Sequence, residues 1–206
     1  VIHPQRAGST RNPSERRREV GTRSRSLAGE RGKLAQLFRD HGFEDFHWID
    51  PRKIVVSQWV RMKCTFGCGN YGKNACCPPN MPSVAECERF FREYAQAVVF
   101  HFEKTVAKPQ DRHKWSAGIN AKLSKLERDV FTWGHERAFL LFMDSCHLCS
   151  ECTGERATCR NPRAARPSPE AMAMDVYSTV RRLGLSIQVL ADYDQAMNRY
   201  AFLMVR

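Results

Sequence analysis

The chain has 206 residues, 33 Lys+Arg against 22 Asp+Glu for a formal net charge of +11, and nine cysteines. A chain of this length buries an adequate core as one domain, so it needs no disulfide framework to fold. It holds no run approaching the ~18 apolar residues of a membrane helix and no apolar N-terminal stretch of the kind a secretory signal needs. A reducing, cytoplasmic setting is therefore expected. There, clustered cysteines are metal ligands more often than disulfides, and an odd number cannot pair fully within one chain.

The charge is uneven. Residues 1–33 hold eight Arg and one Lys against three Glu, so more than half of the positive excess sits in the first sixth of the chain. Residues 1–32 show no hydrophobic period and are expected to form a disordered basic arm, with an α/β metal-binding domain over 33–206. Such an arm attracts acidic partners. No aromatic-interleaved basic stripe accompanies it, so nucleic acid is not the favoured partner.

From Lys33 the apolar residues Leu34, Leu37 and Phe38 share a helical face, with Gly42 as a stop. Two extended stretches are predicted next, Phe46–Ile49 and Ile54–Val60. Residues 64–82, rich in Cys, Gly, Asn and Pro, form a loop. Ser83 and Glu86 make a capping box for a helix reaching about Tyr94 and burying Phe90, Phe91 and Tyr94. Ala97–Phe102 is a buried strand. A long helix within Asp111–Trp133 buries Ile119, Leu123, Leu126 and Val130, and Arg137–Met143 is another strand. Residues 145–167 form a second Cys/Pro loop. Ser168, Pro169 and Glu170 open a helix that should run to Gly184. Leu185–Leu190 and Tyr200–Val205 are the final strands. Strands alternating with helices give an α/β fold: a single domain with a central mixed sheet flanked by helices and two Cys-rich metal-binding loops at strand ends.

The loops carry the chemistry. The second reads Cys146-x2-Cys149-x2-Cys152, then six residues, then Cys159, with Pro162 three residues on. Three cysteines at this spacing turn successive sulfurs onto one compact centre, as in the start of the bacterial ferredoxin run. They favour a cubane [4Fe–4S] cluster. Zinc also uses C-x2-C pairs, usually two of them separated by a longer finger, and stays the alternative. The first loop offers Cys64, Cys68 and Cys77-Pro-Pro, with Cys76 beside Cys77 and Cys87 one turn inside the capped helix. Cys87 is the expected fourth ligand beside Cys64, Cys68 and Cys77. An exchange of loops would instead place Cys77 with Cys146, Cys149 and Cys152 and leave Cys159 for the first loop. Cys76 reads as a small buried hydrophobe. Both loops are expected to meet at one end of the sheet. His147 reads as a neighbour of the ligands and His101 as a satisfied core residue. Gly67 to Gly72 matches G-x-G-x-x-G, but Pro78 and Pro79 preclude the helix a dinucleotide site requires.

Val60-Arg-Met-Lys-Cys64, Cys68, Tyr71-Gly72, Cys77-Pro-Pro79, Cys146-His-Leu-Cys149, Cys152, Cys159-Arg-Asn-Pro162, Arg166-Pro-Ser168 and Asp175-Val176 together resemble the predicted metal-binding family known as domain of unknown function 2284. The resemblance runs from about Lys33 to Arg206 and implies metal binding at Cys64, Cys68, Cys77, Cys146, Cys149, Cys152 and Cys159. It implies no particular reaction. The favoured reading is a redox module, with one or two [4Fe–4S] clusters passing electrons to a partner protein. A structural zinc protein presenting an interaction surface and an enzyme with an open cluster site are the competing ones. No paired acid and base residues near the loops single out a catalyst.

Overall fold

The computed structural model describes residues 28–192 and 195–206. Most of the predicted basic arm, residues 1–27, lies outside the described residues. A helix, α1, covers 28–40, beginning five residues before Lys33, and Leu34 and Phe38 form its buried face. It stops as predicted: Gly42 takes φ +79°, and its N–H bonds Arg39 O at 2.7 Å. Only glycine enters that region without a Cβ penalty.

Residues 43–206 form a second compact unit. Its sheet holds β1 (Phe46–Ile49), β2 (Ala97–Lys104), β3 (Phe139–Leu141) and β4 (Met197–Met204) in the order β1-β2-β4-β3. The α/β architecture is as expected, but the sheet is antiparallel throughout rather than mixed. The C-terminal strand causes this. β4 inserts between β2 and β3, which run the same way and would otherwise have been parallel neighbours. The register sets Val99 opposite Phe202, and Leu141 opposite the same Phe202. These side chains join Phe91, Met172, Met174, Val180 and Met204 in one buried cluster. The alternate residues Val98, Phe100, Leu140 and Leu203 are also buried, so both faces of the sheet are covered.

Four helices accompany the sheet: α2 (Gln58–Gly67), α3 (Val84–Arg92), α4 (Pro109–Thr132) and α5 (Val176–Arg182). α3 begins with the predicted capping box. Ser83 Oγ accepts the Glu86 N–H at 3.3 Å, and Glu86 Oε2 accepts the Ser83 N–H at 2.8 Å. Ser83→Ala is expected to cost about 1 kcal/mol, read from the urea midpoint. α4 buries Leu123, Leu126 and Val130 and is held to β3 by Glu127, whose Oε1 accepts the Leu140 N–H at 2.9 Å. No helix among the described residues is long and apolar enough to cross a membrane.

Three predicted elements are corrected. The stretch Ile54–Val60 is not a strand: Val56 makes a single bridge to Met174, and Ser57 opens α2. The helix predicted from Ser168 begins only at Val176. Ser168 Oγ accepts the Ala171 N–H, but Ala173 turns to φ 58°, and the chain then pairs with residues 55–57. Asp175 is the working cap, accepting the Ser178 N–H at 2.9 Å. Leu185–Leu190 forms no strand. Leu185 and Ile187 pack on the core through their side chains, and no ladder partner takes their backbone.

Candidate metal centre

Cys64 lies in the last turns of α2, and Cys68 is that helix's C-cap. The first loop thus leaves a helix, not the strand predicted for it. Beyond Cys68 the backbone folds into successive tight turns, with Tyr71 N–H on Cys68 O, Lys73 N–H on Asn70 O and Cys77 N–H on Asn74 O, at 3.0–3.1 Å. The second loop leaves β3 through Phe142 and Met143, both fully buried.

The two loops meet. Asn74 Nδ2 donates to Cys146 O at 2.8 Å, and Asn80 Nδ2 donates to Gly154 O at 2.7 Å. Gly154 has φ +82°, and a Cβ there would stand 3.3 Å from Gly72 O. A side chain at this position would be strained and would press the loops apart. Asn74 is 7% exposed and braces both sides, since its Oδ1 also accepts the Cys76 N–H at 2.9 Å.

That brace sends the neighbouring cysteines Cys76 and Cys77 to different cavities. Cys76 joins Cys146, Cys149, Cys152 and Cys159 around a small cavity closed by Ala75, Leu148, Asn161 and Ala165. The four cysteines predicted for the second loop are therefore together, and Cys76 is an unforeseen fifth. Several N–H groups point at these sulfurs. Asn161 Nδ2 lies 3.0 Å from Cys149 Sγ, and the Ala75 N–H lies 3.3 Å from Cys152 Sγ. A hydrogen bond from Cys76 draws the Cys146 pKa well below the ordinary thiol range. The backbone N–H groups of Leu148 and Arg166 and the charge of Arg156 add to this, against the effect of burial. The same hydrogen bond, with burial, pushes Cys76 upward. Donors directed at sulfur stabilise thiolate, the form that binds metal.

Cys77 faces a second cavity of about 160 Å³ with Cys64 and Cys68, bordered by Tyr71, Ser145 and Glu170. Burial pushes the Cys77 thiol up to about 11, partly offset by its hydrogen bond with Ser145. Burial also raises Cys64, as do Cys68 and Glu170, while Arg61 acts in the opposite sense. Cys87 borders neither cavity. It is fully buried in the cluster with Phe91, its Sγ 3.7 Å from Pro82 O and 4.0 Å from Met172 Sδ. Nor is the alternative exchange of Cys77 for Cys159 seen: Cys77 lines the cavity of Cys64 and Cys68, Cys159 that of Cys146, Cys149 and Cys152, and the first-loop residue that joins the latter is Cys76. His147 borders neither cavity and packs on His113, ring centroids 4.6 Å apart. His101 is satisfied by Asp45 at 2.6 Å and Asn198 at 2.7 Å.

Among the described residues, no three His, Cys, Asp or Glu side chains are gathered closely enough to hold a single metal ion. The thiols instead ring the walls of two cavities. All nine cysteines are free. Of the five thiols on the second-loop cavity, Cys76 is the one that sequence reasoning set aside, as a small buried hydrophobe. The signal was there in the pair Cys76-Cys77, since adjacent side chains that diverge can serve two centres.

No curated protein and no solved structure matches the chain. Residues 47–205, which include all nine cysteines, match the family described as predicted metal-binding protein, DUF2284. A match over most of the chain, with two sets of converging thiols inside it, places this protein in the DUF2284 family of predicted metal-binding proteins.

Proposed function

We propose that this chain is an iron–sulfur protein in which Cys146, Cys149, Cys152 and Cys159 hold a [4Fe–4S] cluster that serves a redox partner protein. The observation that carries this reading is the second-loop cavity, where these four sulfurs and Cys76 surround a common space and N–H groups donate to them. Zinc, in contrast, draws four ligands to ~2.0–2.3 Å of one point, and thiols spread over a cavity wall suit it less well.

When bound, such a cluster supplies one-electron storage. The protein's own part is to provide thiolates, to exclude water and to set the potential through N–H···S bonds and nearby charge. Arg156 is the cation whose field reaches both Cys76 and Cys146. A docking face for the partner is offered by α2. Trp59, Met62 and Phe66, spaced along one side of that helix, are 46%, 45% and 80% exposed beside Cys64. Apolar patches of this kind mark interaction sites. Lys63 lies over the Trp59 ring at 5.7 Å and adds positive charge, which favours an acidic carrier. Free thiols throughout suit a reducing compartment such as the cytoplasm.

Cys149→Ser tests the ligand set. It should remove about half of the bound iron if the chain carries two clusters and nearly all of it if there is one, with the far-UV circular dichroism retained. Unchanged iron in that variant would contradict the reading.

A further inference from the structure

The first-loop cavity gathers three thiols, Cys64, Cys68 and Cys77, and the fourth thiol expected from the sequence, Cys87, is buried in the apolar core instead. Two carboxylates border the same cavity, Asp144 and Glu170. Asp144 is ion-paired, its Oδ2 3.0 Å from Arg112 Nε though without hydrogen-bond geometry, and its Oδ1 accepts the Ser145 N–H at 3.2 Å. Glu170 has no ion-pair partner among the described residues. Arg61, the cation whose field reaches Cys64, spends its Nη2 on Pro82 O and Ala171 O, both at 3.1 Å.

Glu170 also borders two further cavities, one with Tyr177, Asn198 and Arg199, the other a groove of about 680 Å³ with Trp59, Cys64 and Cys68. It is therefore reached by solvent although protein surrounds it, and that crowding raises its carboxyl pKa. Three thiols and a carboxylate that makes no ion pair among the described residues therefore border one cavity, with the fields of Arg61 and Arg199 and a hydrogen bond from Ser168 acting in favour of their charged forms. A bound cation would balance the remaining charge of that donor set.

We infer that Cys64, Cys68, Cys77 and Glu170 form a second metal centre, a cluster held by three thiolates with Glu170 as its one oxygen ligand and with that ligand facing the solvent groove. Thiolates select iron–sulfur clusters and soft metals, while a carboxylate is a harder and more exchangeable ligand. The fourth position of this centre is thereby its accessible one. The inference deepens the metal-binding reading above, and it concerns a separate cavity, so the two can fail independently.

The test uses the full chain, purified without oxygen and reconstituted with iron and sulfide. Metal is counted as atoms per chain, and Mössbauer spectra report the ligand environment. Cys64→Ser and Glu170→Ala should each lower bound metal by the same increment, about half, and the loss should add to that of Cys149→Ser. Glu170→Cys should restore the metal but remove the oxygen-ligated iron signature. Cys87→Ala should leave the metal content unchanged. Because Glu170→Cys must recover what Glu170→Ala loses, a general folding defect is separated from a lost ligand. Full metal and an unchanged spectrum in Glu170→Ala would overturn the inference, as would loss of the same increment in Cys87→Ala. So would a Cys64→Ser variant with wild-type metal content, which would leave the second-loop cluster standing alone. Wild-type metal that is lost with the first-loop variants but untouched by Cys149→Ser would remove the second-loop reading and support this one.

Discussion

Glu127→Ala is expected to destabilise the protein by about 3–5 kcal/mol, the usual result of removing one partner from a buried ion pair. Glu127 is 5% exposed in the body of α4. Its Oε1 accepts two donors at once, the Leu140 N–H at 2.9 Å and Arg166 Nε at 2.8 Å. The first ties α4 to the edge strand β3. The second anchors Arg166, whose Nη1 also caps Arg163 O and Ala165 O and whose guanidinium lies 5.6 Å above the Phe139 ring. Alanine leaves a buried N–H and a half-buried guanidinium without their acceptor. Urea unfolding at neutral pH measures the loss. Glu127→Gln keeps an acceptor for Leu140 and should lose about 1–2 kcal/mol, so the pair brackets the ionic part. The effect should reach the metal site as well, because the Arg166 N–H donates to Cys146.

Asn74→Ala should lower metal affinity by about 10–100-fold, the range for residues that orient ligands without binding the metal. It should also cost about 2–4 kcal/mol of stability. The Asn74 side chain spans the two loops, with Nδ2 on Cys146 O at 2.8 Å and Oδ1 on the Cys76 N–H at 2.9 Å. Cys76 is 4% exposed, so its N–H has no ready route to water once Asn74 is gone. Each buried group left without a partner costs about 1–3 kcal/mol. Competition with a chelator measures the affinity, and thermal unfolding with and without the chelator separates the structural share. Asn74→Asp retains Oδ1 for Cys76 but sets a buried carboxylate oxygen against Cys146 O, so it should lose at least as much as alanine.

Where local chemistry and burial agreed, the fold was legible in the residues. The Ser83 capping box, the apolar runs of β2 and β4 and the periodic Leu123, Leu126 and Val130 of α4 appear where the pattern put them. The misreadings share a cause. α2 buries only Val60 and exposes Trp59, Met62 and Phe66, so it lacks the inward apolar face by which a helix is recognised. Ser168 carries a helix-start pattern, but tertiary pairing of Met174 with Val56 takes that segment into an extended turn. The antiparallel sheet could not be foreseen from the βαβ order, because the inserting strand is the last in the chain. At the site, spacing alone grouped the four second-loop thiols, which line one cavity in the structure. That Cys76 and Glu170 border the cavities was harder to read, since the first depends on how the Asn74 turn splits two adjacent residues and the second on tertiary packing that brings Ser168, Glu170 and Ala171 to the first-loop cavity.

The central claim is that the second-loop thiols hold an iron–sulfur cluster, and one preparation decides it. Wild-type protein isolated without oxygen should be brown, with broad visible absorption, and should contain iron and acid-labile sulfide in equal amounts. Oxidation in air should bleach the colour, and Cys149→Ser should diminish it. A colourless protein carrying zinc and no labile sulfide would contradict the account.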